Sequence, residues 1–490
     1  MKRVTMILTI VLLALGLLAA TGVAAQTEYD STINIRNMED GEATVVIQFF
    51  GTDGTHDAAA DVTMSIPPQS MAAYFVLQND KLPEDFQGSA VVASDKELVI
   101  VHNLRINVGE QGASTSGFAE GAPVVQLPLL MRNNGGYTTW FSVQNAGMVD
   151  AIVEVEFFAG STSGNDWQWV NPDDQTNQVT IKPGAAYYFD QAMMPELGTR
   201  FVGSAIVTSV NGQPLVASAV EVGPNGLFAY DGFGSAPVAS GAGASNGGSA
   251  NILAPLFQYH NAGYQSSIQV QNVGDTPTTV TVSYVPGSAG NACTETHEVA
   301  AGASETFGML AFYAPQAYSN CWEQNSAGGV GTKFVGSAYV STNSAAQPLL
   351  GIVNQMNSIN KKSGAYNAFD PGSASQCVAA PLIMDRNSNY WTSLNIMNVG
   401  AAATTVTVEY STYGAITPAN DVLVLQPNEM GGILHWNHLG GGERYVGSAV
   451  ACGTPGSEIV AMVNQLNDKV PGNGDTLYVY NAFNILDVIE

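Results

Sequence analysis

The chain has 490 residues, with 41 acidic against 15 basic side chains and a formal net charge of −26. A field of that sign repels nucleic acid and anionic membrane surfaces, both of which are bound through Lys and Arg. Charged residues make up only 11% of the chain, so Ser, Thr, Asn, Gln and Gly must cover most of the surface, as in exported β-proteins and unlike cytosolic enzymes.

At the N-terminus, Lys2 and Arg3 precede an apolar run from Met6 to Ala20, and Val23-Ala24-Ala25 supplies small residues at the cleavage spacing. This pattern predicts a secretory signal peptide over 1–25. The run is shorter than the ~20 residues a membrane span requires, so the processed chain is expected to be secreted and not inserted in a membrane. Cleavage leaves 13 basic against 41 acidic residues, a net charge of −28.

From residue 26 onward the chain repeats itself four times. The first signature is a strand ending in Asn, followed by a β-branched strand. It reads Ile33-Asn-Ile-Arg-Asn37 with Ala43 to Phe50, then Phe141-Ser-Val-Gln-Asn145 with Ala151 to Phe158. It returns as Ile268-Gln-Val-Gln-Asn272 with Thr278 to Tyr284, and as Leu394-Asn-Ile-Met-Asn398 with Thr404 to Tyr410. The second signature places an aromatic residue two positions before Gly-Ser-Ala, at Phe86, Phe201, Phe334 and Tyr445. Three copies then reach an aromatic finish: Ala229-Tyr-Asp-Gly-Phe233, Ala365-Tyr-Asn-Ala-Phe369 and Val479-Tyr-Asn-Ala-Phe483.

Each unit holds about seven short alternating runs punctuated by Gly, Pro, Asn and Asp. Period-two alternation puts Val, Ile and Phe on one face and Thr, Gln and Glu on the other, and the apolar face must close on a second sheet. The fold class is therefore all-β, four tandem Ig-like sandwiches. Their bounds are 26–121, 122–233, 251–373 and 374–490, with a short helical turn between Asp190 and Leu197. A Gly/Ser/Ala-rich linker over 234–250 is expected to leave two pairs of domains. Repeats two to four open with Leu127-Pro-Leu, Ala254-Pro-Leu and Ala380-Pro-Leu. The first repeat lacks that strand, and the unpaired edge could accept one from another molecule.

Four cysteines in an oxidising compartment suggest disulfides. Two fall in the third repeat and two in the fourth, which predicts Cys293–Cys321 and Cys377–Cys452. No CxxC spacing points to zinc.

Residues kept in all four copies serve folding, so a catalytic set should be unique to one copy. His435 and His438, with Glu443 nearby, are the close histidine pair, but three positions apart on a strand they face opposite sides and read as loop residues rather than a metal site. Gly243-Ala-Ser-Asn-Gly247 matches GxSxG without the strand and helix that the nucleophile elbow needs. Asp173-Asp174 and Glu154/Glu156 match glycosidase acids by residue type only. No enzyme and no cofactor is expected. Oxygen-ligated structural calcium is compatible with the loops, because such ligands need no fixed spacing. Trp167 and Trp169, on one face of a strand, are the candidates for stacking on sugar rings.

The recurring APLxM, IxVQNxG, TTVTVxY, FVGSAxV and YNAF segments are similar to uncharacterised tandem repeats of exported bacterial surface proteins, and more loosely resemble CARDB and other Ig-like adhesion-related domains. The resemblance implies a structural or adhesive role at the cell surface or in the matrix. Its partners would be self, other surface proteins or polysaccharide; carbohydrate binding through exposed aromatics is the alternative.

Overall fold

The computed structural model describes all residues except 1–6, 14–28, 107–110, 162–163, 236–247, 309–311, 313–318, 326–332, 412–414, 440, 468–476 and 486–490. The cleavage site after Ala25, most of the predicted linker and the GxSxG match lie outside the described residues.

The alternating runs form four β-sandwiches, each of two antiparallel sheets. In the first, β1 (Ile7–Leu13), β6 (Gly88–Ser94), β3 (Ala43–Gly51) and β4 (Val62–Ile66) make an outer sheet in that order. The inner sheet runs β5 (Met71–Phe75), β2 (Tyr29–Asn37), β7 (Leu98–Ile106), β8 (Gln111–Ser116). The second has the outer order β12 (Trp167–Gln168), β11 (Ala151–Ala159), β15 (Phe201–Ser209), β9 (Val124–Arg132), β18 (Phe233–Ser235), with β13 (Val179–Ile181) also on β11. Its inner sheet is β14 (Ala186–Asp190), β10 (Thr138–Asn145), β16 (Leu215–Gly223), β17 (Gly226–Asp231).

The third repeats the plan, with outer strands β19 (Asn251–Tyr259), β24 (Phe334–Thr342), β21 (Thr278–Ala289) and β22 (Cys293–Val299). Its inner strands are β23 (Ser304–Phe307), β20 (Tyr264–Asn272), β25 (Leu349–Asn357) and β26 (Lys362–Asn367). The fourth has outer strands β30 (Asp421–Leu425), β29 (Thr404–Tyr410), β32 (Tyr445–Cys452), β27 (Cys377–Asp385) and β35 (Phe483–Ile485). Its inner strands are β31 (Met430–Leu434), β28 (Tyr390–Asn398), β33 (Ile459–Asn467) and β34 (Tyr478–Asn481). The one described α-helix of any extent is short, α1 (Cys321–Asn325). The turn foreseen near Asp190 is two 3₁₀ turns, Gln191–Met193 and Pro195–Leu197.

The repeated signatures hold each sandwich together. The Asn that ends β2, β10, β20 and β28 does not take a left-handed backbone; its side chain does the work. Asn272 donates from Nδ2 to the carbonyls of Thr276 (2.8 Å) and Val299 (3.2 Å), and its Oδ1 accepts from Gly274 N–H (3.0 Å). Asn37, Asn145 and Asn398 bridge the same two places. One buried amide thus ties its turn to the edge strand of the facing sheet. In the first three Gly-Ser-Ala segments the glycine sits against backbone: a Cβ on Gly203 would lie 2.1 Å from the Phe158 carbonyl oxygen, a contact no side chain tolerates.

Two expectations change. The first repeat has an opening strand after all, because β1 pairs along Gly88–Ser94 in the place of β9, β19 and β27. Ile7–Leu13, part of the apolar run read as a signal sequence, pairs with the backbone of that edge. The inner sheets, moreover, do not show a polar face to solvent. Outer strands alternate, as in β29 and β3, but inner strands such as β2, β28 and β33 are buried along nearly their whole length.

What covers them is the preceding repeat. Ile352 and Ala365 of the third repeat join the core of the second. Met397, Val460 and Met462 of the fourth join the core of the third, and Val101 of the first joins the core of the fourth. Tyr29, Leu104 and Ala113 of the first pack with Val220, Leu227 and Ala229 of the second. The four repeats close a ring, and the chain does not divide into two pairs at the linker.

Candidate functional site

The ring places one edge strand from each inner sheet, β8, β17, β26 and β34, along the seams between repeats. Ser116 N–H donates to the Asp231 carboxylate (2.9 Å), Asp231 N–H to Asn367 Oδ1 (3.1 Å), and Asn367 N–H to Asn481 Oδ1 (3.0 Å). These are the equivalent residues of the four repeats, fixed by pairing opposite Val101, Ser218, Ile352 and Met462. Burial pushes the Asp231 carboxyl up to about 7, against the pull of its Ser116 bonds.

A second set crosses the seams one layer away. Gln355 Nε2 donates to Asn464 Oδ1 (3.1 Å), and Asn464 Nδ2 returns a bond to Gln355 Oε1 (3.3 Å). At the seam between repeats two and three, the same positions are Glu221 and Asn354, with Asn354 Nδ2 donating to Glu221 Oε2 (2.9 Å). Between four and one they are Gln465 and Asn103 (3.3 Å). Between one and two they are Leu104 and Val220, an apolar pair. Serine hydroxyls of Gly-Ser-Ala add bonds to a positive-φ turn of the next repeat, Ser204 to Gly302 (2.7 Å) and Ser337 to Asn428 (2.9 Å), with Ser89 on Gly184 likewise.

No sequence motif singles out these seam residues. A signal existed: aligned by register, repeat two carries Glu221 where repeats three and four carry Gln355 and Gln465, and Asp231 where they carry Asn367 and Asn481. Acids replacing amides in one copy mark it chemically.

The histidines of the fourth repeat enter a different network. Tyr410 replaces the Phe49 and Phe157 of the first two repeats, and its hydroxyl needs a partner. It donates to Asp421 Oδ2 (2.7 Å) and contacts His435 Nε2 (3.1 Å), while His435 Nδ1 meets Thr392 Oγ1 (2.7 Å). His438 pairs with Asp421 at 2.8 Å. His435 does lie in the loop that follows β31, as expected, but it is fully buried there, and burial with His438 nearby pushes it down to about 3. Burial pushes Tyr410 upward, well beyond the ordinary phenol range, with Asp421 adding to it. A histidine that is hard to protonate beside a tyrosine that is hard to ionise makes a buried polar cross-link, and both ring nitrogens of His435 are engaged, leaving none for a metal. Tyr284 and Glu295 (2.9 Å) form the counterpart in the third repeat.

The remaining candidates separate. Cys377 and Cys452 are register partners on β27 and β32 and are disulfide-bonded, and Cys293 on β22 is bonded to Cys321 on α1. Trp169 is 4% exposed and packs edge-on to Phe189 and Tyr187, while Trp167 stacks on Phe157. Trp169 therefore presents no open ring face to a sugar, because the β12 end folds back onto the core. Glu154 accepts from Gln178 (2.7 Å) and Asp174 from Thr176 (2.8 Å), so each is held by an amide or hydroxyl neighbour. Glu443 lies in a turn, exposed. Among the described residues, no three His, Cys, Asp or Glu side chains gather as metal ligands, and no helix is long and apolar enough to cross a membrane.

No protein-family model matches the chain, and no curated protein matches it. A solved structure of a tetra-tandem repeat in the extending region of a large adhesion protein aligns with 98% of this chain and 99% of that one, at 11% identity. Its TM-score of 0.10 carries no argument about fold or role.

Proposed function

We propose that the chain is a non-enzymatic secreted building block, a structural or adhesive component of the bacterial cell surface or extracellular matrix. The observation that carries this reading is how its polar side chains are spent. Buried amides, hydroxyls and carboxyls join strand to strand and repeat to repeat across successive seams. Two disulfides and an acidic, polar surface suit life outside the cell.

Export by the N-terminal segment would also create an assembly edge. Opening strands β9, β19 and β27 are held by a tyrosine hydroxyl on their backbone, from Tyr230, Tyr366 and Tyr480. The first repeat has Thr115 at that position, bonded to His102 instead. Cleavage after Ala25 would remove β1 and free the backbone of β6, to which a strand of a second copy could add. Purified chain 26–490 should then form oligomers in size-exclusion chromatography and short filaments in electron microscopy. A peptide spanning Ile7–Leu13 should block them. A strict monomer at high concentration removes the assembly reading.

A polysaccharide-binding role falls to the fourth repeat, where Trp436 is 44% exposed and stands edge-on to Trp391 at 6.3 Å. A glycan array tests it, with Trp436→Ala as the control that must lose any signal.

A further inference from the structure

We propose that Glu221 is held as a protonated carboxylic acid, paired in a two-bond ring with the Asn354 amide, so that a proton latches repeat two to repeat three. The geometry leads there directly. Asn354 Nδ2 already donates to Glu221 Oε2 at 2.9 Å. The other two oxygens of the pair, Glu221 Oε1 and Asn354 Oδ1, are both buried and both without a donor. Two buried acceptors left without a donor in one pair are costly. A proton on Oε1 turns one of them into the missing donor, since a protonated carboxyl carries one O–H.

The neighbouring seam supplies the template. Gln355 and Asn464 occupy the same two register positions and form a reciprocal pair, one bond in each direction. An amide brings its own donor. Glu221 can copy that pattern only by carrying a hydrogen where Gln355 has its NH₂ group.

The surroundings agree. Glu221 lies on β16 opposite Thr139 of β10 and Phe228 of β17, with Asn354 reaching across from β25. Tyr230 on β17 is the titratable neighbour whose charge couples to it, and that hydroxyl is engaged with Leu129. Asp231, at the end of the same strand, is occupied with Ser116 of repeat one. Glu221 itself is fully buried, and burial pushes its carboxyl up to about 8, against the pull of the Asn354 bond.

The consequence is a seam that weakens with alkali. A group whose folded value is raised favours folding below its unfolded value, and that advantage drains away as pH rises toward the folded value. For one such carboxyl the folded-to-unfolded ratio falls about tenfold per pH unit across the window between the ordinary carboxyl value and about 8.

The test compares full-length wild type with Glu221→Gln by denaturant unfolding from pH 5 to pH 9. Gln restores the pattern of the next seam without a proton, so the variant should lose up to that tenfold-per-unit decline. Identical pH profiles would overturn the latch. Should the variant fail to fold, carboxyl ¹³C resonances of glutamate-labelled wild type decide the matter. One glutamate titrating near neutrality or above supports the proposal, and every glutamate titrating in the ordinary acidic range refutes it.

Discussion

The Tyr230 hydroxyl accepts from the Leu129 N–H at 3.2 Å and donates to the carbonyl of the same residue at 2.6 Å. Tyr366 does this to Leu256, and Tyr480 to Leu382. In each case a buried phenol crosses the sandwich and mends the ladder of an opening strand near its register shift. Without it, one N–H and one C=O would lie buried without a partner.

Tyr230→Phe, Tyr366→Phe and Tyr480→Phe should therefore each lower stability by about 1–3 kcal/mol, although they remove a single oxygen. Urea titration of the three variants measures it. Changes within about 0.5 kcal/mol, as at an ordinary surface site, would show that water serves those backbone groups equally well.

Why was this legible in the sequence, and the ring not? The Tyr of the aromatic finish, the Asn after the second strand and the Gly of Gly-Ser-Ala recur because each copy needs them internally, so repetition exposes them. The seams use a face that reads as solvent. Ser142, Gln144, Ser218 and Gln271 alternate with apolar residues as any half-exposed strand does, yet all four are buried. Nothing in period-two alternation distinguishes a polar face meeting water from one meeting the polar face of another repeat. Trp169 is hidden for a related reason: its spacing from Trp167 is that of an exposed strand, yet it lies buried against Phe189 and Tyr187.

Acid should weaken the protein through two histidines. His102 is fully buried between Ser31 and Thr115, and burial pushes it down to about 4; His435 is pushed down to about 3. Folded values below the unfolded one mean that the native state refuses protons the unfolded chain accepts. The stabilisation is complete above the ordinary imidazole value and is lost as pH falls through the window beneath it, by about 1.4 kcal/mol per pH unit for each residue. Glu221 and Asp231, raised instead of lowered, pull the other way across part of that window, so the test is the comparison of variants: from pH 7 to pH 5 the unfolding free energy of His102→Asn should fall less, or rise more, than that of the wild type. An unchanged slope in that variant would remove His102 from the account.

The two disulfides should not be equal. Cys377 and Cys452 are 75 residues apart, Cys293 and Cys321 only 28. Closing the longer loop restricts the unfolded chain more, by roughly 1 kcal/mol on the chain-entropy scale. The double variant Cys377→Ser/Cys452→Ser should be the less stable of the two matched pairs. The opposite order would mean that the contacts of α1, held by Cys321, outweigh loop entropy.

The seams offer the sharpest test of ring closure. Gln355 and Asn464 satisfy each other across repeats three and four, with Gln258 Nε2 also donating to Gln355 Oε1 at 2.9 Å. Repeats two and four carry Met131 and Met384 where the third carries Gln258, so Gln258→Met gives a neutral background. In it, Gln355→Leu or Asn464→Val alone strands a buried amide and should cost about 1–3 kcal/mol. Together they reproduce Leu104 and Val220 of the first seam, which is apolar already. The double variant should recover much of the loss, with a coupling energy on the order of 0.5–3 kcal/mol. Additive losses would mean that the two side chains do not meet in solution, and that the third and fourth repeats are not closed against each other as the ring requires.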